Sequence, residues 1–346
     1  TGTFDWYQRN TNGMLAPGMQ LPAVVGASAP YQNTADMRTR GWELSVNWRD
    51  QIGKVGYRVG FNLSDSQSKI VKYNSNESGI LTSTLSNGST FWNYYEGKDL
   101  GEIWGYEYDG FYTVDDFTDT SSWKLKEGVP SIDGYNPRPG DVKFKNLMDD
   151  DRGTNMISGG DNTVSNPGDR KVIGNNTPRY LYGITLGANF KGFDLNVFMQ
   201  GTGKRDAWIA NNLKFPLYSD FKFIALYKDL GNYWKPVDAA NGDYTAANPN
   251  AEFPRIYGNY GNQGSNYRQS DKYLSGASYF RIKNVTLSYT FPKAWITKAS
   301  LSQLKAFVSI ENLATFSSLP KGIDPETLSW NYPAFRTVSF GLNVTL

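Results

Sequence analysis

Apolar and polar residues alternate along several separated segments of this chain. Between residues 40 and 49, for example, Leu44, Val46 and Trp48 are separated by single polar residues. Alternation with a period of two predicts a β-strand that has one apolar face and one polar face. The segments predicted in this way are 3–8, 36–49, 54–70, 178–190, 193–203, 273–291, 303–313 and 334–346.

The connections between these segments differ strongly in length, and short and long ones alternate. The short connections are 50–53, 191–192 and 292–302, and the long ones are 9–35, 71–177, 204–272 and 314–333. Outer-membrane barrels have this pattern, with short periplasmic turns and long extracellular loops. A soluble β-sandwich has no reason to place its long loops at alternate connections. The sequence therefore predicts an all-β fold, a transmembrane antiparallel β-barrel, to which this chain contributes eight crossings.

The alternation of crossings also predicts the direction of each strand. If the tight turn at Lys191 and Gly192 is periplasmic, the strand 334–346 descends and the C-terminus lies in the periplasm. Because the chain opens within an alternating segment, we expect the rest of the barrel to lie upstream of it. We interpret residues 1–346 as one portion of a barrel, with large extracellular excursions at about 71–177 and 204–272.

The excursion 71–177 is too long for an ordinary loop and contains strand-like pieces at 103–108 and 142–147. We place both pieces outside the membrane, because the excursion must hold an even number of crossings. A further pair of crossings within it satisfies the same parity, so this alternative stays open.

The position of a residue in the alternating pattern predicts whether its side chain faces the lipid or the lumen of the barrel. On the apolar phase, aromatic residues near strand ends form interfacial belts: Trp42, Trp48, Tyr57, Tyr180, Tyr289 and Phe291. On the polar phase, the predicted lumen-lining residues are Glu43, Arg49, Arg58, Asp194, Lys305 and Glu311.

Composition removes several classes of function. The chain has no Cys and no His, which excludes disulfides, thiolate or imidazole catalysis and Cys or His metal sites. No two carboxylates are placed together in an apolar setting, so we expect no enzymatic activity. A net charge of +2 gives no reason to expect nucleic acid as a partner. The mean hydropathy of -0.53 is typical of soluble proteins, but only every second residue of a barrel strand faces lipid.

Two aromatic clusters in predicted extracellular loops are candidates for substrate binding. Flat rings stack on the apolar faces of sugars, and adjacent amides bind hydroxyl groups. The alternative is loop packing or contact with a partner protein, since exposed aromatic patches mark interaction sites of several kinds. The candidate residues are Trp92, Tyr94, Tyr95, Trp330 and Tyr332.

An acidic segment is a candidate for a structural calcium ion in an extracellular loop. Its hard oxygen ligands are of the type that calcium prefers, although the spacing of an EF-hand loop is not met. The alternative is a solvated acidic turn, in which Asp and Gly serve turn geometry. The candidate ligands are Asp149, Asp150, Asp151 and Asp161. No other cofactor is expected.

Five segments in the same order resemble conserved stretches of a known family. Residues 36–44 look like its "N-x-G-x-E-L" strand entry, and 97–112 like "G-x-x-x-G-x-x-x-G-Y…D-G". Residues 139–144 resemble "P-G-D-I-K-Y", and 169–180 resemble "D-R-x-x-I-G-x-x-x-P-K-Y". Residues 279–289 are similar to "F-x-R-L-K-N-V-T-L-S-Y". Together they resemble the SusC/RagA family of TonB-dependent outer-membrane transporters.

This resemblance implies a 22-stranded barrel of which the chain supplies the last eight strands. It also implies an N-terminal plug domain and a TonB-interacting segment, both absent from this chain. The expected partners are the remainder of the barrel and its plug, a SusD-like surface lipoprotein, the TonB complex and the lipid bilayer. The expected function is active import of glycans or oligopeptides across the outer membrane. The alternatives are a secreted all-β glycan-binding module and a passive porin.

Overall fold

A computed structural model gives the fold of most of the chain. It describes residues 1–18, 30–84, 90–132, 134–149, 155–209, 215, 231–257, 265–297, 300–329 and 334–346.

Eight long strands form a single antiparallel sheet in which each strand pairs with its neighbours in the sequence. The strands are β1 (Gly2–Pro17), β2 (Tyr31–Ile52), β3 (Val55–Tyr73), β4 (Arg179–Phe190), β5 (Phe193–Lys204), β6 (Tyr279–Thr290), β7 (Gln303–Ser317) and β8 (Thr337–Thr345). They correspond in order to the eight predicted segments. The all-β prediction is confirmed, and the sheet is part of a barrel.

Several strand boundaries differ from the prediction. Residues 9–17 and 31–35, assigned to a connection from the sequence, belong to β1 and β2, which stay paired as far as Pro17 and Tyr31. The strand predicted at 273–291 begins only at Tyr279, and β7 continues beyond 313 to Ser317. The apolar alternation fades at these places because the side chains change surroundings, whereas the backbone pairing does not depend on them.

The register places the apolar residues of neighbouring strands side by side. Leu195 of β5 lies between Ala188 and Leu287, and Val308 of β7 lies between Leu287 and Phe340. The result is a continuous apolar face that is open to the surroundings, with Phe340 80% exposed. Exposure of this extent fits a surface whose solvent is lipid.

The opposite face carries polar and charged side chains that bond across strands. Arg58 of β3 reaches over Gly187 of β4 to donate a hydrogen bond to Asn196 of β5. Its guanidinium also lies 3.8 Å from the carboxylate of Asp194. A Cβ atom on Gly187 would lie 2.5 Å from Arg58, so glycine leaves the space through which this side chain passes.

All short connections lie at one end of the sheet and all long connections at the other end. Lys191 and Gly192 join β4 to β5 with φ angles of 47° and 88°. Two successive positive φ values are typical of the type I′ turn, whose twist matches that of a hairpin. A short helix, Lys293–Ile296, lies between β6 and β7. Among the described residues, no helix is long and apolar enough to span a membrane.

Short strands and single helical turns build up the long connections. The paired strands are Thr82–Thr84 with Thr90–Trp92, Glu102–Tyr106 with Arg170–Asn175, Tyr108–Phe111 with Val142–Phe144, Ser131–Ile132 with Met156–Ile157, Asp206–Trp208 with Leu274–Gly276, and Pro236–Asp238 with Asp243–Ala246. The 3-10 turns are Asn74–Asn76, Val114–Asp116, Ala239–Asn241 and Asp271–Tyr273.

The strand-like pieces inside the excursion 71–177 pair with other loop segments. In the described part of that excursion no strand joins the eight-stranded sheet. Most of the well-buried apolar residues of the chain also lie in the loops, as in the cluster of Ile132, Val142, Phe144 and Ile157. The long connections therefore have hydrophobic cores of their own at one end of the sheet.

Candidate functional site

The structure brings together three of the five predicted substrate-binding residues. Trp92 ends a short strand, and Tyr94 and Tyr95 follow after Asn93. Tyr94 is 46% exposed, whereas Tyr95 is only 5% exposed. Trp330 and Tyr332 lie outside the described residues. The substrate-binding role of all five stays a prediction.

Tyr95 is held by polar contacts within the loop core. Its hydroxyl donates a hydrogen bond to Glu102 and accepts one from the indole nitrogen of Trp104 at 3.1 Å. Burial raises the pKa of the Tyr95 hydroxyl, and the carboxylate of Glu102 raises it further. Tyr95 therefore stays neutral and orders the segment that carries Tyr94.

A buried lysine lies beneath the same two tyrosine rings. Lys98 donates to the backbone carbonyl of Asn93 at 2.7 Å. Its ammonium group lies 5.5 Å from the centroid of Tyr94 and 5.3 Å from that of Tyr95, within range of cation–π attraction. Burial lowers the pKa of Lys98. Both aromatic residues are thus fixed from below, which lowers the entropy lost when a ligand stacks on Tyr94.

A cavity of about 440 Å³ opens beside the aromatic segment. Phe91, Trp92, Tyr94 and Asn76 are among the residues that line it. The amide of Asn76 donates to the carbonyls of Ile80 and Tyr94 at 2.9 and 2.8 Å, which ties parts of this lining together. Rings beside fixed amides match the chemistry of a sugar or of a peptide side chain.

Two of the four acidic candidates, Asp149 and Asp161, are among the described residues. Asp149 accepts a hydrogen bond from Asn146 at 2.6 Å, and Asp161 accepts one from Asn166 at 2.9 Å. Asp150 and Asp151 lie outside the described residues. Within the described residues, no group of three carboxylates is arranged to hold a metal ion. The calcium ion stays a prediction.

A different aspartate organises this acidic loop. Asp169 is fully buried and accepts backbone hydrogen bonds from Leu147, Met148 and Ser158 at 2.6, 3.1 and 2.7 Å. In the sequence, Asp169 stands out only as the first residue of the motif at 169–180. The carboxylate fixes both ends of the loop, so the motif has a structural reason at this position.

Asp141 links the two large excursions. Its buried carboxylate accepts hydrogen bonds from Tyr135 at 2.8 Å, Tyr257 at 2.6 Å and the amide of Asn266 at 3.0 Å. The backbone amide of Arg138 supplies a fourth at 2.7 Å. Burial raises the pKa of Asp141. Tyr257 and Asn266 belong to the second excursion, and sequence reasoning did not bring them together with the Pro139-Gly140-Asp141 motif.

A strap formed by residues 319–329, in the connection between β7 and β8, folds onto the polar face of the sheet. Asp324 accepts a hydrogen bond from the backbone amide of Glu326 at 2.8 Å, and Leu328 donates to the carbonyl of Asp324 at 2.8 Å. Pro325 occupies the first position of this turn, where it costs no backbone hydrogen bond. Leu319 and Ile323 pack with Ala207, Ile209 and Ala277 on the other side.

Ion pairs hold the strap against β5 and β6. Arg281 is 2% exposed and donates to Asp324 at 2.9 Å, and its other terminal nitrogen lies 3.0 Å from Glu326. Lys283 pairs with Glu326 at 3.0 Å, and Gln200 donates to the same carboxylate at 2.8 Å. The acidic strap is thus matched to basic residues of the wall, and the sequence alone did not identify it.

The comparisons with known proteins agree with this architecture. No family model matches the chain. TonB-dependent receptor P3 of Formosa agariphila is 28% identical over 99% of this chain and 32% of its own length. TonB-dependent receptor SusC of Bacteroides thetaiotaomicron is 23% identical over 99% of this chain and 30% of its own. Over nearly its whole length the chain is therefore similar to TonB-dependent receptors, SusC among them.

Solved structures match the fold of this chain as well. The RagAB peptide transporter superposes with a TM-score of 0.65 at 20% identity, covering 99% of this chain and 33% of that chain. The RagAB peptide importer in its open-open state gives the same TM-score over all of this chain. The chain spans about a third of the length of the curated relatives and solved structures that it matches. Its fold is therefore that of part of a barrel.

Proposed function

We propose that this chain is part of an outer-membrane transporter that imports glycans or oligopeptides with energy from the TonB complex. The observation that carries the proposal is the sheet itself. It has a continuous apolar face, an opposite polar face and long connections at one end only. This is the architecture of a barrel that spans an outer membrane and receives its substrate from the long-loop side.

The two edges of the sheet support a larger assembly. β1 and β8 each have an unpaired edge within the eight-stranded sheet. Unpaired backbone groups in the hydrocarbon region cost several kcal/mol each, so membrane barrels close. We infer that β1 and β8 pair with the remaining strands of the same barrel, that a plug fills its lumen and that the C-terminus is periplasmic.

The relatives support a proposal for the partner and the substrate class. RagAB is a peptide transporter, and SusC is a TonB-dependent receptor. We propose a SusD-like lipoprotein that covers the long-loop end of this barrel. Tyr94 and the neighbouring cavity would contact the substrate there, together with Trp330 and Tyr332. The matched relatives are receptors and transporters, not enzymes, and we assign no catalytic step to this chain.

A structural calcium ion at the acidic loop is part of the same proposal. Asp149, Asp150, Asp151 and Asp161 would supply oxygen ligands that fix the loop near the extracellular surface. Adding a chelator should then increase proteolysis of residues 145–161 without changing the folded barrel. The same cleavage rate with and without calcium would show a solvated acidic turn.

Uptake measurements test the proposed function. The complete receptor would be produced in a host with and without a functional TonB, and uptake of labelled glycans and oligopeptides compared. We expect saturable uptake of one class that is lost without TonB. Uptake that does not depend on TonB would indicate a passive porin.

Cell fractionation distinguishes the transporter from the remaining alternative, a secreted glycan-binding module. A barrel requires detergent for extraction and migrates differently before and after heating. Recovery of the intact protein from a detergent-free soluble fraction would indicate a secreted glycan-binding module and would overturn the proposal.

A further inference from the structure

A group of basic residues lies on the apolar face of β1, β2 and β3, just beyond its last aromatic row. Trp6 and Trp42 pair in that row, and the same face recurs at every second residue. The next two rows toward the long connections are Gln8, Arg40 and Gln67, and then Asn10, Arg38 and Lys69. Arg38, Arg40 and Lys69 are named the basic strip.

The charges of the basic strip are not neutralised by the described residues. None of the three side chains forms an ion pair with any of them. Arg38 donates to the amide oxygen of Asn10 at 3.4 Å, and Arg40 donates to that of Gln8 at 2.9 Å. Both acceptors are neutral. Residues 19–29, which connect β1 to β2, contain no Asp or Glu.

The acidic groups closest to the strip along the strands are engaged elsewhere. Asp36 accepts a hydrogen bond from the backbone amide of Gly13 at 2.8 Å. Asp65 forms a two-fold contact with the guanidinium of Arg179. The backbone of Asp99 pairs with that of Lys69 in an isolated antiparallel β-bridge, but their side chains form no ion pair.

The register adds an unfavourable contact within the strip. Arg38 and Lys69 are directly opposite each other on neighbouring antiparallel strands. Like charges at opposite positions destabilise a sheet. A bound anion between the two side chains would remove this repulsion, whereas nothing in the packing of the strands requires two cations there.

The position of the strip along β2 corresponds to the edge of a membrane. The segment from Trp42 to the end of β2 at Ile52 has the roughly 9–11 residues that a tilted strand needs to cross the hydrocarbon region. Aromatic residues mark the interface in such barrels, and Trp6 and Trp42 occupy that row. Arg40 and Arg38 follow at the depth of the lipid headgroups.

We propose that the basic strip binds the phosphate groups of lipid headgroups in the leaflet at the long-connection end of the barrel. The inference rests on the proposed membrane function. A guanidinium group matches phosphate geometry with two parallel hydrogen bonds, and lysine adds a compact charge. Gln67, opposite Arg40 in the first of the two rows, is exposed and supplies a neutral donor. The strip would anchor the β1–β3 side of the barrel to its lipid annulus.

Lipid selectivity in a reconstituted bilayer tests this proposal. The complete receptor would be placed in phosphatidylcholine membranes with a small fraction of spin-labelled phosphatidic acid or spin-labelled phosphatidylcholine. The fraction of immobilised label measures contact with the protein. We expect a preference for phosphatidic acid of roughly fivefold or more, since each basic residue near an anionic surface contributes about 1 kcal/mol.

Two triple variants separate the strip from general charge effects. Arg38→Gln with Arg40→Gln and Lys69→Gln should remove most of the preference. Arg9→Gln with Arg49→Gln and Lys204→Gln removes the same charge from the polar face and should keep it. Heat-dependent migration confirms that both variants are folded.

Three outcomes would overturn the proposal. These are equal selectivity in both triple variants, no selectivity in the unaltered receptor, and displacement of the labelled lipid by millimolar inorganic phosphate. The last result would identify a site for free anions. TonB-dependent uptake by the unaltered receptor is measured separately: intact uptake without lipid selectivity refutes the lipid site alone, and absence of TonB-dependent uptake refutes the proposed function.

Discussion

At the scale of single residues, buried polar groups explain most of the fixed geometry in the loops. Asp141 and Asp169 are each surrounded by donors from more than one segment, and Glu102 accepts hydrogen bonds from several donors close to it in the chain. An unsatisfied buried donor costs about 1–3 kcal/mol, so each carboxylate stabilises its loop mainly by preventing that cost. These side chains decide where the exposed aromatic residues lie without having to touch a substrate.

Replacement of Asp141 should loosen the link between the two excursions. Asp141→Ala leaves the hydroxyls of Tyr135 and Tyr257 and the amide of Asn266 without their acceptor. We expect faster proteolysis of the loops, with unchanged heat-dependent migration of the barrel. Asp243→Ala, at an exposed hairpin, serves as the control. Equal cleavage of the two variants would contradict the structural role of Asp141.

Substitutions of the neighbouring residues Tyr94 and Tyr95 should affect substrate binding and loop stability separately. Tyr94→Ala removes an exposed ring beside the cavity and should weaken substrate binding severalfold while the loops stay resistant to protease. Tyr95→Phe removes the hydroxyl between Glu102 and Trp104 and should lower loop stability by about 1 kcal/mol. Binding assays and proteolysis of the same preparations check both. A Tyr94→Ala receptor with full affinity would exclude this cavity as the substrate site.

At the scale of elements, the strap joins the last long connection to the wall of the sheet. Its acidic residues come from the loop, and its basic partners come from β6. Only the antiparallel register brings Gln200 of β5 beside Arg281 of β6. The pair of Arg281 and Asp324 is shielded from water, so removing one partner leaves an uncompensated buried charge.

Loss of Arg281 should release the strap. Arg281→Met leaves Asp324 and Glu326 without their buried cation, a change that typically costs about 3–5 kcal/mol. We expect trypsin to cut at the exposed Lys321 at least ~10-fold faster, since each 1.4 kcal/mol of local opening corresponds to a factor of ten. Lys305 lies in β7 on the same polar face of the sheet, and Lys305→Met should not change the rate of cleavage at Lys321. Resistance of both variants would show that apolar packing alone holds the strap.

At the scale of the whole molecule, the two faces of the sheet meet different solvents. Neighbouring residues of one strand therefore differ sharply in the charges that they tolerate. The apolar row crosses every pair of strands, so a single charge interrupts contact with lipid without disturbing the polar face.

A pair of adjacent substitutions in β2 tests this division. Val46→Arg places a charge on the apolar face near the middle of the spanning segment, where it should cost about 2–4 kcal/mol. Asn47→Arg places the same charge on the polar face and should cost far less. Urea unfolding of the receptor in lipid vesicles measures both. Equal stability of the two variants would contradict a lipid-facing apolar row.

The sequence predicted much of this architecture because alternation is a local property. A period of two identifies strands such as β7 directly, and it assigns Val308 and Ser309 to opposite faces. The pattern does not predict the end of β1 or the start of β2, because the side chains there no longer alternate between lipid and lumen. Of the candidate site, the exposed Tyr94 could be found from the sequence, whereas the burial of Tyr95 could not.

The sequence by itself determined the number and order of the strands, the alternation of short and long connections and the two faces of the sheet. Each of these follows from neighbouring residues and from the geometry of an extended chain. Only the tertiary structure decided that Asp141 joins two excursions, that the strap folds onto the polar face and that Arg38 opposes Lys69. Such contacts join residues far apart in the chain, where register and loop closure, rather than local pattern, determine which side chains meet.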